Sequence, residues 1–190
     1  MIETMDDRDG WIWLDGRLVP WREARAHALT HALHYGSSVF EGERIYDGRV
    51  FRLAAHSARL LRSARLVDLE IPWTRQQIDE ATRAVVKANG LREGYVRPIA
   101  WRGSEALGVS GIGISTHLAI APWAWPNYFS GEAKMRGVRL RMAEFRRPGP
   151  QSAPGESKCG GLYVICTLEK DRAIAAGFDD ALMLDWKGRV

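Results

Sequence analysis

The chain has 190 residues, of which 46% are hydrophobic and 26% charged, and a net charge of +4. That composition excludes a disordered or collagen-like polypeptide and leaves room for one large domain or two small ones. Arginines are scattered without a run of like charges, and no stretch of 18 apolar residues occurs, so neither nucleic acid nor a membrane is an expected partner.

The polar, acidic start from Met1 to Asp9 is unlike a signal peptide. Residues 11–14 and 17–20 flank Asp15-Gly16 and read as a hairpin. Residues 21–37 are less regular. They carry His27, His31 and His34 at a spacing that would share a helix face, but no carboxylate or cysteine nearby completes a metal set, so no metal is expected. Residues 38–46 and 49–52 flank Asp47-Gly48 and predict a second hairpin. Alternation there places Phe40, Gly42 and Arg44 on one face and Val39, Glu41, Glu43 and Ile45 on the other.

A helix is predicted over 54–67, with Leu60, Leu61 and Leu66 inward and Arg59, Arg62 and Arg65 along it. Thr74 reads as the N-cap of a helix over 75–89 that Gly90 ends. Residues 94–101 form a strand with Tyr95, Arg97 and Ile99 on one face, and 117–123 a mostly apolar, central one. From Trp123 to Gly131 the pattern breaks into an aromatic linker containing Trp125 and Tyr128. Residues 138–143 begin a second unit, followed by a helix over 162–176 closed by Gly177 and a strand over 181–185. The expected division is an N-terminal domain over 1–125, a linker over 126–135 and the start of a C-terminal domain over 136–190. Cys159 and Cys166 are expected on one helix, too far apart to bond. Free thiols without an export signal point to the cytoplasm.

Lys158 stands between a Pro/Gly/Ser-rich run and a helical pattern, with Gly160 and Gly161 letting the backbone approach something flat and Tyr163 offering a phenol. A lysine amine held there can form a Schiff base with an aldehyde. Taken alone, the stretch favours a solvated lysine before a helix, since most lysines are solvated. Gly149 to Lys158 lacks the lysine-after-glycine order of a phosphate loop, and the glycines between Gly108 and Gly113 do not join a strand to a helix.

Five motifs in one order change that weighting: Tyr35-Gly36-x-x-x-Phe40-Glu41-Gly42-x-Arg44, a basic helix with Arg59, Tyr95-x-Arg97-Pro98, Trp123-x-Trp125 with Tyr128, and Lys158-Cys159-Gly160-Gly161-Leu162-Tyr163. Together they resemble the branched-chain amino-acid aminotransferases, class IV enzymes of fold type IV that use pyridoxal 5′-phosphate. The resemblance runs from about residue 10 to the end. It implies a two-domain α+β or α/β architecture like that of D-amino-acid aminotransferase, with a small N-terminal α/β domain and an incomplete, β-barrel-like C-terminal one.

The resemblance also implies roles. Lys158 is the expected Schiff-base lysine and proton shuttle. Tyr163 is expected on the cofactor's phenolate oxygen and Arg59 on its phosphate. Tyr95 and Arg97 are expected at the substrate α-carboxylate, with Arg44 nearby for the γ-carboxylate of glutamate. Tyr35, Phe40, Trp125 and Tyr128 would wall the side-chain pocket, and Tyr35 and Val109 would cross into a partner subunit's site, which implies a homodimer or higher homo-oligomer. The implied reaction is transamination of leucine, isoleucine and valine with 2-oxoglutarate. Two departures stand out. Leu162 occupies a position where the family commonly has asparagine, and family members continue for more than a hundred residues past Val190 (with the acid that meets the pyridinium nitrogen). The expectation for these 190 residues alone is therefore weak cofactor binding and poor transamination. Other readings are a D-amino-acid transaminase, an aminodeoxychorismate lyase or a non-catalytic relic; the Tyr35-to-Arg44 and Tyr95-x-Arg97 patterns speak against the first two.

Overall fold

Two Asp-Gly pairs fold the edges of the first unit. Asp15 and Gly16 have φ of 47° and 97°, and Asp47 and Gly48 have 48° and 74°. Positive φ at both central residues is what a tight type I′ hairpin turn requires. The first pair joins β1 (Trp11–Leu14) to β2 (Arg17–Pro20), and the second joins β4 (Glu43–Tyr46) to β5 (Arg49–Val50). The computed structural model describes residues 4–125 and 135–190. They fall into two compact units, one of residues 1–126 with 157–159, the other of residues 127–156 with 160–190. The expected linker over 126–135 and Tyr128 within it lie outside the described residues, except for Met135.

The sheet of the first unit runs β2-β1-β7-β6-β4-β5, with the short β3 (Ser38–Phe40) also paired to β6. Its centre is the long antiparallel pair β6 (Gly94–Arg102) and β7 (Thr116–Trp123), in register from Tyr95↔Trp123 to Arg102↔Thr116. Two helices, α2 (Leu53–Arg65) and α3 (Arg75–Ala88), pack on each other; α3 also packs on β1 and β7, and α2 on β3. The core joins Val39, Ile45, Val96, Ala100, Leu118 and Ile120 from strands to Leu60, Ala64, Ile78 and Val85 from helices, all buried. Each large aliphatic side chain so buried contributes about 1.5–3 kcal/mol. On β6 the buried residues Gly94, Val96, Pro98 and Ala100 alternate with half-buried Tyr95, Arg97, Ile99 and Trp101. Strand periodicity thus puts two polar side chains, Tyr95 and Arg97, together on the face away from that core.

Thr74 starts α3 through a reciprocal capping box with Gln77. The earlier helix differs from expectation. Leu60 is buried, but Leu61 is half-buried and Leu66 is 42% exposed. The inward stripe is Ser57, Leu60, Ser63 and Ala64, the i, i+3, i+4 set that one helix face demands. The three histidines do not share one helix: α1 is only His31–Tyr35, and His27 precedes it, accepting the Leu29 N–H at Nδ1 over 3.1 Å. No group of metal-ligating side chains occurs among the described residues. The strand expected over 38–46 is broken between Phe40 and Glu43, yet its alternation survives, with Val39, Glu41, Glu43 and Ile45 all buried. Trp123 is no linker residue; it ends β7 and packs in a core cluster with Ile12, Val19 and Trp21.

The second unit pairs β8 (Leu140–Met142) in parallel with β9 (Asp180–Leu182), both shorter than their sequence patterns suggest, and connects them through α4 (Val164–Ala175). Gly177, at φ 79°, closes α4. Buried Glu169 organises this unit. Burial opposes its charge, but the N–H groups of Glu144 and Phe145 and the Arg172 guanidinium outweigh that and hold its pKa below the ordinary value. Cys159 and Cys166 do not share a helix: Cys159 forms an antiparallel bridge with Val39, whereas Cys166 lies in α4. Gly160 and Gly161, poor helix formers, open a 3-10 turn (Gly160–Tyr163) between them.

Glu43 is buried, and neither of its carboxyl oxygens has a hydrogen-bond partner among the described residues. Desolvation first, then the charges of Glu41 and Asp79, push its pKa from 4.5 up to about 8. The folded state keeps a proton there that the unfolded state releases. Stability therefore falls as pH rises from about 4.5 and levels off above about 8. Glu43→Gln should abolish that fall and, at the alkaline end, exceed the parent by at least about 1 kcal/mol; chemical denaturation across this pH range measures both.

Candidate active site

The site of the first unit is built on backbone that comes from a distant stretch of sequence. Ser157, Lys158 and Cys159 lie against β3 and α2. The Phe40 N–H donates to the Lys158 carbonyl at 3.1 Å, and the Lys158 N–H donates to Ser63 Oγ at 3.1 Å. Ser157 Oγ donates to the Ser63 carbonyl at 2.8 Å, and Cys159 Sγ donates to the Gly36 carbonyl at 3.4 Å. Both neighbours of Lys158 are buried while Lys158 itself is half-buried. The backbone is thus fixed on both sides and the amine projects from a rigid support.

That amine lies 4.7 Å from the centroid of the Phe40 ring. The Arg97 guanidinium carbon lies 4.8 Å from the same ring. Arg97 Nη2 donates to Tyr95 Oη at 3.1 Å, whereas its buried Nε has no hydrogen-bond partner among the described residues. A buried guanidinium nitrogen without an acceptor is a costly arrangement that an anion would relieve. Tyr95 packs in turn on Trp123 and Trp125, at ring separations of 5.1 and 5.4 Å. Arg44 Nη1 donates to the Trp125 carbonyl at 3.2 Å, which makes it part of this wall and not a solvated edge residue. Gly42 lies so near that a Cβ there would meet Tyr95 Oη at 1.9 Å. Only glycine permits the phenol to stand where it does.

Beside Phe40 in sequence, Glu41 is fully buried and forks onto Arg59. Burial raises its pKa, but the hydrogen bonds and charges of Arg59 and His56 overcome that and leave it lowered, so the carboxylate is ionised at neutral pH.

The structure therefore draws together Phe40, Arg44, Tyr95, Arg97, Trp125 and Lys158, with Arg59 held by Glu41 on the adjoining helix. Tyr163 belongs to the second unit, in its 3-10 turn. Tyr35 is 44% exposed in α1, where its ring meets His31 at 4.7 Å, and Val109 is 82% exposed in the connection from β6 to β7. Sequence reasoning did not single out Ser63 and Ser157 or the bracing by Glu41 and His56. The available signal was Ser63 itself, one of two small polar residues, with Ser57, on the buried stripe of the helix.

The chain that carries this arrangement is similar to known proteins. Residues 38–190 match the family model for amino-transferase class IV. The chain belongs to the class IV amino-transferases. It is 44% identical to the branched-chain-amino-acid aminotransferase of Pseudomonas aeruginosa over 98% of its own length and 62% of that protein's. It is 35% identical to the Escherichia coli K12 enzyme of that name, over 95% and 60% of the respective lengths. Among solved structures, a T.th. branched-chain amino acid aminotransferase with pyridoxamine 5′-phosphate superposes with a TM-score of 0.90 at 42% identity, covering 95% of this chain and 61% of the other. The Escherichia coli structure gives a TM-score of 0.89 at 35% identity, with 95% and 61% covered. The chain thus has the fold of these class IV proteins and spans about 60% of the length of the curated relatives it matches.

The support from α2 makes a direct forecast. Ser63→Ala removes the acceptor of the Lys158 N–H and should cost about 1–2 kcal/mol, measured by chemical denaturation, and amide exchange at Lys158 should accelerate.

Proposed function

We propose that this class IV amino-transferase chain carries the lysine and the substrate-recognition surface of a branched-chain amino-acid aminotransferase that uses pyridoxal 5′-phosphate. The amino group of leucine, isoleucine or valine is passed to 2-oxoglutarate. The observation that carries this reading is Arg97, whose buried Nε lacks an acceptor among the described residues while its Cζ stands 4.8 Å from the ring that also flanks Lys158 Nζ. A carboxylate there meets a cation and an unsatisfied donor together.

The residues fit the cofactor by their chemistry. Lys158 offers an amine on fixed backbone beside an apolar ring, and Arg59, with a side chain 52% exposed, offers a guanidinium suited to a phosphate. When bound, pyridoxal 5′-phosphate supplies an aldehyde for that amine and an electron sink for the substrate Cα. Lys158 Nζ would be the base that takes the proton from the substrate Cα and carries it to the carbon that bore the cofactor's aldehyde. Arg97, steadied by Tyr95, orients the α-carboxylate so that this transfer is short. Phe40 and Trp125 give a branched aliphatic chain an apolar surface, and Arg44 lies close enough to Trp125 to receive the second carboxylate of the glutamate pair. Tyr163 is assigned to the cofactor's phenolate oxygen and Tyr128 to the pocket wall. The exposure of Tyr35 and Val109 suits side chains donated to a partner's pocket, hence a homodimer or larger homo-oligomer. No helix of the described residues is long and apolar enough to cross a membrane, and a cytoplasmic setting accords with two free thiols.

Borohydride treatment of the cofactor-loaded protein should fix the cofactor to the peptide containing Lys158. Lys158→Ala should lose this fixation and at least about 10³-fold in leucine:2-oxoglutarate turnover, whereas Lys170→Ala keeps both. Fixation at another lysine, or preference for D-alanine over L-leucine, would sink the assignment. Gly42→Ala should displace Tyr95 and raise KM for leucine about tenfold with the absorbance of the bound cofactor unchanged; steady-state kinetics over a leucine series provides the check.

A further inference from the structure

We infer that Glu41 is a positioning residue for Arg59, holding the guanidinium end-on towards the cofactor's phosphate ester, with His56 as a second brace on the same carboxylate. This rests on the cofactor reading above. Glu41 is 0% exposed and follows Phe40 at the break between β3 and β4, its own N–H donating to the Pro98 carbonyl at 2.9 Å. Four donors converge on its oxygens: Arg59 Nε at 2.5 Å, Arg59 Nη2 at 2.7 Å, His56 Nδ1 at 2.9 Å and the Gly42 N–H at 3.3 Å. His56 and Arg59 are three residues apart on α2, so both reach the carboxylate from one helix face. A carboxylate satisfied on this scale, on backbone held between two strands, is a fixed point, and Arg59 is tied to it by a two-pronged contact.

A guanidinium has five N–H groups. Glu41 engages Nε and Nη2, which is one edge of the fork. The end of the fork, between Nη1 and Nη2, is the part that Glu41 does not use, and its two parallel N–H groups match two oxygens of a phosphate. Two effects then compete. The negative charge of Glu41 weakens the attraction of Arg59 for a phosphate. The same contact removes the cost of ordering a long, many-rotamer side chain when the phosphate arrives. The Arg59 side chain is 52% exposed, so solvent screens the first effect, whereas the ordering cost of the second is not subject to screening. Preorganisation wins, and Glu41 strengthens phosphate binding despite its sign.

The measurement is the ratio of the Kd for pyridoxal to the Kd for pyridoxal 5′-phosphate, which isolates the phosphate's contribution. It is taken by absorbance titration of the parent protein, Glu41→Gln, His56→Gln and Arg59→Lys. Arg59→Lys should lower the ratio by about tenfold or more, because an ammonium cannot fork. Glu41→Gln should lower it by about five- to tenfold with pyridoxal affinity within about twofold of the parent. His56→Gln should lower it by a smaller factor. If Arg59→Lys lowers the ratio but Glu41→Gln leaves it unchanged or raises it, the positioning role is overturned and the cofactor reading stands. If Arg59→Lys has no effect on the ratio, or the parent binds neither aldehyde, the cofactor reading fails and this inference with it. Should Glu41→Gln not fold, His56→Gln decides: a lowered ratio supports the brace, an unchanged one refutes it.

Discussion

The short antiparallel pairing of Val39 with Cys159 is the constraint on which the site depends. Beside it, the Phe40 N–H donates to the Lys158 carbonyl more than a hundred positions away, and Ser63 closes the arrangement from the helix side. Each such bond contributes only about 1 kcal/mol net, but their worth lies in geometry. They convert a lysine in a Pro/Gly/Ser-rich neighbourhood into one whose Cα position is fixed by a sheet and a helix together. The base role proposed for Lys158 requires placement to a fraction of an ångström, and a flexible loop alone does not provide that.

The same sheet sorts the remaining side chains by parity. On β6, even-numbered residues from Gly94 to Ala100 enter the core and odd-numbered ones carry Tyr95 and Arg97 to the other face. On the broken β3–β4 strand, odd-numbered residues are buried, and two of these, Glu41 and Glu43, are acids. Their fates diverge through their partners. Glu41 has a guanidinium and an imidazole and stays charged; Glu43 has neither and is driven towards its neutral form. Two carboxyls two residues apart, equally inaccessible to water, thus hold opposite protonation states at neutral pH.

Much of this was legible in the sequence because it rests on local rules. Asp-Gly turns, the Thr74 cap and the alternation around Phe40 and Arg97 each follow from backbone geometry that a few residues determine. What was not legible depends on distant partners. The inward direction of α2 is set by the strands it meets, so Ser63 and Ala64 rather than Leu66 face the core. Cys159 leaves the helical pattern because β3, far upstream, claims its backbone. The engagement of Arg59 by Glu41 was equally hidden, since nothing local in either residue announces the other. The five-motif order supplied the family, whereas the supports of the site emerge only in three dimensions.

The membership of Ser157–Cys159 in the first unit also fixes how this polypeptide can be taken apart. A fragment cut just after Trp125 would look complete by chain position, yet it would lack the three residues that satisfy Ser63 and the open edge of β3. Its exposed strand edge would invite self-association. The compact first unit is discontinuous in sequence, and a dissection that keeps its contacts has to graft the Lys158 tripeptide back on.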